Sequence, residues 1–249
     1  MQKISILILL LYQFTFANTF YVAISGNDAN DGSAAAPFRS IKAAVSAATE
    51  GDTLAIGAGT FVEEGPIGLK TGLTLMGAGR DQTTITSTAS PIFRAVRVND
   101  ITISDVTFDG DGHALKYAIW ASRISNWELT RFRAVDVEIA FRMITIHNSS
   151  FHDFLGHNAS ACNQGMFEFL QECINVQVYN GYAFNSDEIM GKILATGPDQ
   201  SRNPDAPWTL PRGIVDGFGM YEVEHFTASQ GCWEVAPGIF PPQICVEFW

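Results

Sequence analysis

Four arginines, Arg123, Arg131, Arg133 and Arg142, crowd one stretch of a chain that otherwise carries little positive charge. Guanidinium groups bind carboxylates through a rigid fork of donors, so such a cluster suits a groove for carboxylated sugars. It equally suits a surface paired with Asp136, Glu138 and Glu128. Arg131 and Arg133 are candidates for direct chemistry, and Arg123 and Arg142 for substrate binding. His147, His152 and His157 follow at five-residue spacing, with Asp153 among them. A histidine beside a carboxylate can work as a general acid or base, and His147, on an outward strand position, is the third catalytic candidate. The spacing matches no zinc motif. Asp109-Gly110-Asp111-Gly112 resembles a fragment of a calcium loop, making Asp109 and Asp111 candidate ligands, although a plain turn explains it as well. Asp28, Asn30 and Asp31 offer the same choice between a cation site and a hydrogen-bonded Asx turn. Among the tryptophans, Trp120, Trp127, Trp208, Trp233 and Trp249 could stack on sugar rings. Trp127 sits on an inward position, and Trp208, in a Pro-rich segment, is the best exposed candidate. Asn148-Ser149-Ser150 and Asn158-Ala159-Ser160 are glycosylation sequons.

The elements that must carry these residues are short strands. From Asp52 onward one unit recurs: two apolar residues one position apart, then a polar or small corner, then further inward residues. Copies are Leu54-Ala55-Ile56, Leu73-Thr74-Leu75, Ile101-Thr102-Ile103, Trp127-Glu128-Leu129, Ile144-Thr145-Ile146, Val176-Gln177-Val178 and Tyr221-Glu222-Val223. With the last apolar residue of each as anchor, the gaps are 19, 28, 26, 17, 32 and 45 residues. Most lie near the twenty-odd residues of one coil of a parallel β-helix, and the longer ones leave room for loops. A half-apolar strand cannot bury itself, so each coil relies on neighbours about 4.8 Å above and below it, and seven would build a rod roughly 30 Å long. Asp105, Asn148 and Asn180 occupy matching corners, where stacked amides can bond along the rod. An antiparallel sandwich would need Asn-Gly or Asp-Gly hairpins at regular intervals, which are scarce. The expected fold is an all-β, right-handed parallel β-helix.

Ahead of the coils, a strand over Phe20 to Ile24 leads into an Asx- and Gly-rich turn. A helix follows, with Pro37 in its first turn, Ile41, Ala44, Val45 and Ala48 on one stripe, and Gly51 as its stop. This helix is expected to cap the first coil, whose open edge would otherwise recruit other chains. Residues 1–17 read as an export leader: Lys3 gives a positive start, Ile4 to Tyr12 form an apolar run too short to span a bilayer, and Thr15-Phe16-Ala17 supplies the cleavage site. The expected organisation is a leader over 1–17, a strand, turn and capping helix over 18–51, and coils over 52–249. The mature protein would then be secreted or extracytoplasmic, without a membrane span, and monomeric.

Hydrophobic content of 47% with 16% charged residues excludes disorder. A net charge of −11 argues against nucleic acid as a partner. It also sets a repulsive mean field against acidic glycans, unless bound cations or local arginines reverse it. Cys162, Cys173, Cys232 and Cys245 make an even count suited to disulfides in an exported chain, with proximity favouring 162–173 and 232–245. Free buried thiols are the alternative.

Tyr21-Val22, Ser25-Gly26-Asn27-Asp28, Asn30-Asp31-Gly32-Ser33, Pro37-Phe38, Gly51-Asp52-Thr53, Gly59-Thr60-Phe61 and Leu73 to Gly79 with Thr84-Ile85 form one continuous signature. It resembles the N-terminal region of secreted right-handed β-helix proteins of the DUF1565 type, within the pectate-lyase-like superfamily. The resemblance covers Tyr21 to Ile85 and implies the fold. It also implies an extracellular polysaccharide as partner and, if the chain is an enzyme, a uronate lyase or C5-epimerase, often with calcium. In such lyases a Lys or Arg removes the proton beside the uronate carboxyl. The matching stretch ends before the coils that would carry that base, so no catalytic position transfers. A non-catalytic, glycan-binding β-helix is the competing expectation. So is a truncated relative, because the chain stops at Trp249 just after Gln243 begins another inward strand.

Overall fold

The computed structural model describes residues 17–110, 117–137, 139–157, 167–184, 191–194, 213–216, 231–234 and 243–246. Beyond residue 155 the description is of backbone, apart from the side chains of Phe167 and Val176. The expected leader, Ala17 excepted, therefore lies outside the described residues, as do Asp111, Glu138, Cys162, Trp208 and the Tyr221–Val223 copy.

Strand β1 (Thr19–Val22) is followed by helix α1 (Ile41–Ala47), β2 (Thr53–Ile56), β3 (Gly59–Glu63) and β4 (Ile67–Gly68). The next coils supply β5 (Thr74–Gly77), β6 (Thr83–Ser87), β7 (Phe93–Val96), β8 (Asn99–Ser104) and β9 (Thr107–Asp109). Then come β10 (Tyr117–Thr130), β11 (Arg133–Val135), β12 (Ile139–His157), β13 (Phe167–Phe184), β14 (Gly191–Leu194) and β15 (Gly213–Asp216). Every pairing among these strands is parallel. The chain forms the expected parallel β-helix. Its three faces follow from the pairings. The first stacks β4, β7 and the opening parts of β10, β12 and β13. The second stacks β1, β2, β5, β8 and the middle of β10, β12 and β13. The third stacks β3, β6, β9, β11 and the closing part of β12.

One column on the second face fixes the register: Leu54, Leu75, Ile103, Leu129, Phe151, Val178 and Val215 lie directly over one another. Leu54, Leu75, Ile103, Leu129 and Phe151 are fully buried. Three of the sequence anchors were misplaced. Ile56 stands two residues past the column, and Ile146 sits over Ile124 at the start of the same face, so Phe151 takes its place. Val215, not Val223, continues the stack. The corrected steps are 21, 28, 26, 22, 27 and 37 residues, more even than the anchors suggested. Inside the rod, phenylalanines make a second column: Phe108, Phe132, Phe154 and Phe167 surround Phe141 or its neighbours at centroid distances of 5.1–5.8 Å. Edge-to-face and stacked pairs of this kind add to what each ring gains from the area it buries.

Corners are made by single residues in the left-handed region. Asp105, Arg131 and Asp153 have φ of 61°, 47° and 55° and turn the second face into the third. Asp100, Asn126 and Asn148, at 57°, 59° and 49°, lie in a different column at the start of the second face, where Asn126 Nδ2 donates to Asp100 Oδ1 at 2.8 Å. The expected match of Asn148 with Asp105 is thus corrected. Asn180, which follows Tyr179 over His152, keeps to the Asp105 column.

Helix α1 starts at Ser40, whose Oγ accepts from Ala43 N at 3.1 Å, so Pro37 lies before the helix and not in its first turn. The predicted stripe of Ile41, Ala44, Val45 and Ala48 is buried. Glu63 reaches across from β3 to accept from Ile41 N and Lys42 N. Asp28 accepts from Arg39 N and from Ser40 N and Oγ. Its carboxylate serves the turn, together with the Asn27 and Asp31 side-chain oxygens, which accept from Ala29 N and Ser33 N.

One expectation fails at the far end. Gln243 does not open another parallel coil: β17 (Gln243–Val246) pairs antiparallel with β16 (Gly231–Glu234).

Candidate functional site

At the corner between the second and third faces, His152 sits among three side-chain oxygens. Its Nδ1 is 2.8 Å from Asp153 Oδ2 and 3.2 Å from Thr130 Oγ, and its Nε2 is 3.2 Å from Glu128 Oε1. Parallel register explains the meeting. Thr130 lies directly under His152, and Glu128 stands two residues earlier on the same outward side. Asp153, in the left-handed corner, turns its carboxylate back over the strand. His152 is largely covered, with 13% of its side chain exposed, while Glu128 and Asp153 face solvent.

Arginines border this cluster. Arg131 Nε and Nη2 each lie 2.7 Å from an oxygen of Asp105, one coil earlier in the same corner column. The Arg131 bond, helped by the charges of Arg131 and Arg80, holds the Asp105 carboxyl below its ordinary value despite partial burial. The reciprocal bond pushes the Arg131 guanidinium higher still, with Asp153 and Glu128 adding to it. Arg80 Nη1 donates to the Asp153 carbonyl at 3.1 Å. Arg133 pairs with Asp81 at 2.6 Å. Among the described residues, the ion pairs of Arg131 and Arg133 therefore use Asp105 and Asp81, not the Asp136 expected from proximity in sequence, while Glu138 lies outside them.

A second grouping lies on the first face. Arg94, Trp120 and Arg142 are register partners on β7, β10 and β12. The Arg94 guanidinium lies 5.3 Å from the Trp120 ring centroid. That of Arg142 lies 5.4 Å from the ring of Tyr117 and donates to its hydroxyl.

The remaining candidates are scattered. Arg123 is exposed at a left-handed corner with φ of 56°. His147 is half-buried on the second face over Ser125, away from His152. Trp127 is a core residue, 1% exposed, with Nε1 donating to the Val98 carbonyl. Asp109 ends β9 half-buried, and no group of three His, Cys, Asp or Glu among the described residues is arranged to hold a metal. His157 is described as backbone only. Cys232 is the register partner of Cys245 on β16 and β17, and Cys173 that of Ile146. Sequence reasoning missed Arg94, Tyr117 and Thr130. Arg94 and Trp120 stand 26 residues apart and Trp120 and Arg142 stand 22 apart, the same steps that separate Ile103, Leu129 and Phe151.

Such a rod, closed by stacked coils and carrying polar columns on its faces, belongs to the right-handed parallel β-helix class. Residues 24–196 match the family described as Protein of unknown function (DUF1565), and the chain belongs to that family. Among curated proteins none matches it. Among solved structures it is similar to a rhamnogalacturonan lyase, with TM-score 0.52 and 12% identity, over 82% of this chain and 63% of that one. It is also similar to the A-module of the mannuronan C-5 epimerase AlgE6 of Azotobacter vinelandii, with TM-score 0.50 and 16% identity, over 70% of this chain and 50% of that one. The chain thus spans less than two thirds of either. At these identities the common property is the fold. No helix among the described residues is long and apolar enough to cross a membrane.

Proposed function

We propose that this chain acts on extracellular polysaccharide, with a uronate-containing chain as substrate and elimination or C5 epimerisation as the reaction. The observation that carries this reading is the corner cluster: His152 among Glu128, Asp153 and Thr130, bordered by Arg131 and Arg80. Both reactions begin with loss of the proton beside the uronate carboxyl. In elimination, the electron pair then expels the 4-linked sugar oxygen. In epimerisation, a proton returns from the opposite side. Either path needs a base at that carbon and a cation at the carboxylate. His152 supplies the first and Arg131 the second, once substrate displaces the exposed Glu128. The parallel β-helix, which a rhamnogalacturonan lyase and a mannuronan epimerase also use, supports the substrate class as analogy of fold. With the leader over 1–17 removed, the protein works as a secreted monomer, and any calcium would come in with the acidic glycan.

A second reading, a non-catalytic glycan-binding rod, is favoured by one observation. Both ring nitrogens of His152 already face carboxylates, while Arg131 and Arg133 already hold Asp105 and Asp81. Incubation with pectate, alginate and glycosaminoglycans, with and without calcium, separates the two. Ultraviolet absorbance of unsaturated uronate reports elimination, and proton exchange with solvent reports epimerisation. Glycan binding without either signal would leave only the second reading.

A further inference from the structure

The corner cluster leaves a different sheet face unexplained. On the first face, Gly68, Arg94, Trp120 and Arg142 form one outward column across four successive coils, about 4.8 Å apart. Trp120, Tyr117 and Arg142 are half-exposed and Arg94 is exposed. At the Gly68 end, a methyl group added to the glycine would meet nothing within 4 Å, so the column is open there. At the other end its register continues to Glu168, which bounds the basic stretch. A parallel row of Val96, Ser122 and Ile144 lies beside it, with Val96 46% exposed, and forms a mostly apolar shoulder.

Two guanidinium groups, each against an aromatic ring, give an acidic sugar a local attraction that the chain's net charge of −11 opposes elsewhere. Stacking on Trp120 and Tyr117 holds each guanidinium plane in place, so less side-chain freedom is lost when a carboxylate arrives. The indole and the Val96 shoulder offer apolar surface to the C–H face of a sugar.

We propose that the Arg94–Trp120–Arg142 column, with Tyr117, is a binding subsite for a carboxylated sugar chain running along the rod axis. Its ring lies beside Trp120, and successive carboxylates are met by Arg94 and Arg142. The site is separate from the His152 corner and rests on the polysaccharide reading only for the class of polymer. It holds the substrate on a face where no proton transfer is required, anchoring the protein to its polymer.

The test titrates the full chain with oligogalacturonate and oligomannuronate, and with the carboxyl-reduced form of each, by calorimetry. The expected result is binding of an acidic oligomer and about tenfold weaker binding of its reduced form. Arg94→Ala, Trp120→Ala and Arg142→Ala should each weaken the acidic oligomer about tenfold, with circular dichroism confirming the fold. Arg94→Lys and Arg142→Lys should recover part of the loss. Arg39→Ala, which removes an exposed arginine at the cap, should change nothing and controls for net charge. Acidic binding that ignores the three alanine variants, or falls as far with Arg39→Ala, overturns the subsite and leaves the polysaccharide reading intact. Equal or better binding of the reduced oligomers overturns the carboxylate preference. No binding of any glycan overturns both readings together.

Discussion

The guanidinium of Arg131 lies edge-on to the carboxylate of Asp105 one coil away, with two parallel bonds of 2.7 Å, and both residues occupy left-handed corners of the rod. Corners of this solenoid are therefore tied by charge as well as by backbone bonds, such as that from Asp105 N to the Thr130 carbonyl. Because Asp105 is held below its ordinary 3.8, the pair's contribution is present above that value and is lost as pH falls through the lowered folded value. With the Arg131 side chain 54% exposed, solvent screens the pair to about 0.2–1 kcal/mol. Asp105→Asn should cost about that much at neutral pH and almost nothing in strong acid. Urea unfolding at both pH values measures it, and an equal loss at both would refute the charge-based account.

Gly77 heads the same corner column. A Cβ built there would collide with the Asp105 carbonyl oxygen and come close to the Val106 side chain, so the next coil could not sit at its present height. The offending atom is backbone and cannot rotate away. Gly77→Ala should lower stability by about 1–3 kcal/mol, read as a drop in thermal midpoint. A variant as stable as the parent would show that the coils can separate locally at no cost.

At the capping helix, Glu63 is buried beneath the first turn and bonds two amide groups. Burial pushes its carboxyl above the ordinary 4.5 more strongly than those two bonds lower it. The folded state therefore holds the proton more tightly than the unfolded chain. Stability drawn from Glu63 is then greatest below about 4.5 and declines as pH rises toward the folded value. Relative to Glu63→Gln, the parent should gain stability on acidification through this window. Glu63→Ala should instead lose about 1–3 kcal/mol, from buried amides left without an acceptor. A flat parent-minus-Gln difference across pH would contradict the argument.

How much of this could be read from residue order follows from coil length. Apolar alternation around Ile101, Trp127 and Val176 was enough to predict stacked parallel strands, because a period of two with polar corners has few other uses. Column membership was not, since steps vary between 21 and 37 residues and a two-residue error still lands on an inward position. That is why Ile56 passed for Leu54, whereas Ile146 passed for Phe151 because it too is buried, at the start of the same face. Corners hid for a related reason. Single residues such as Arg123, Asn126 and Thr145 turn the chain by a positive φ without a Gly-rich cluster, so β10 and β12 run through them as continuous strands. The partnerships at the candidate sites, His152 with Glu128 and Arg94 with Trp120, lie across coils. They became visible only once the register was known.

Cys232 and Cys245 are direct register partners on antiparallel strands, at a Cα separation of the kind a disulfide spans. In an exported chain this register favours a disulfide between them, and peptide mapping without reductant should recover the two in one linked fragment. Closing a loop of roughly fifteen residues should stabilise that terminal hairpin by about 3 kcal/mol through the entropy of the unfolded chain. Cys232→Ser should thus lower resistance to proteolysis at the hairpin. Separate, free Cys232 and Cys245 peptides from protein kept under oxidising conditions would exclude the bond.

The corner cluster yields the sharpest functional test. If His152 takes the proton from a uronate ring, His152→Gln keeps polar contacts to Glu128 and Asp153 but cannot accept that proton. Turnover should fall about 10²–10⁴-fold with little change in substrate binding. Arg131→Ala removes the cation that would meet the carboxylate, so kcat and kcat/KM should fall together, as for an interaction made chiefly in the transition state. Arg133→Ala breaks only the bond to Asp81. It should leave turnover within a few-fold, because Arg133 lies on the third face beyond the corner. A substrate found by the ultraviolet or exchange assay whose turnover is unchanged by His152→Gln would remove that histidine from the chemistry. The cluster would then stand as a structural network, in which Glu128 and Asp153 keep the imidazole in place to close the turn between two faces of the rod.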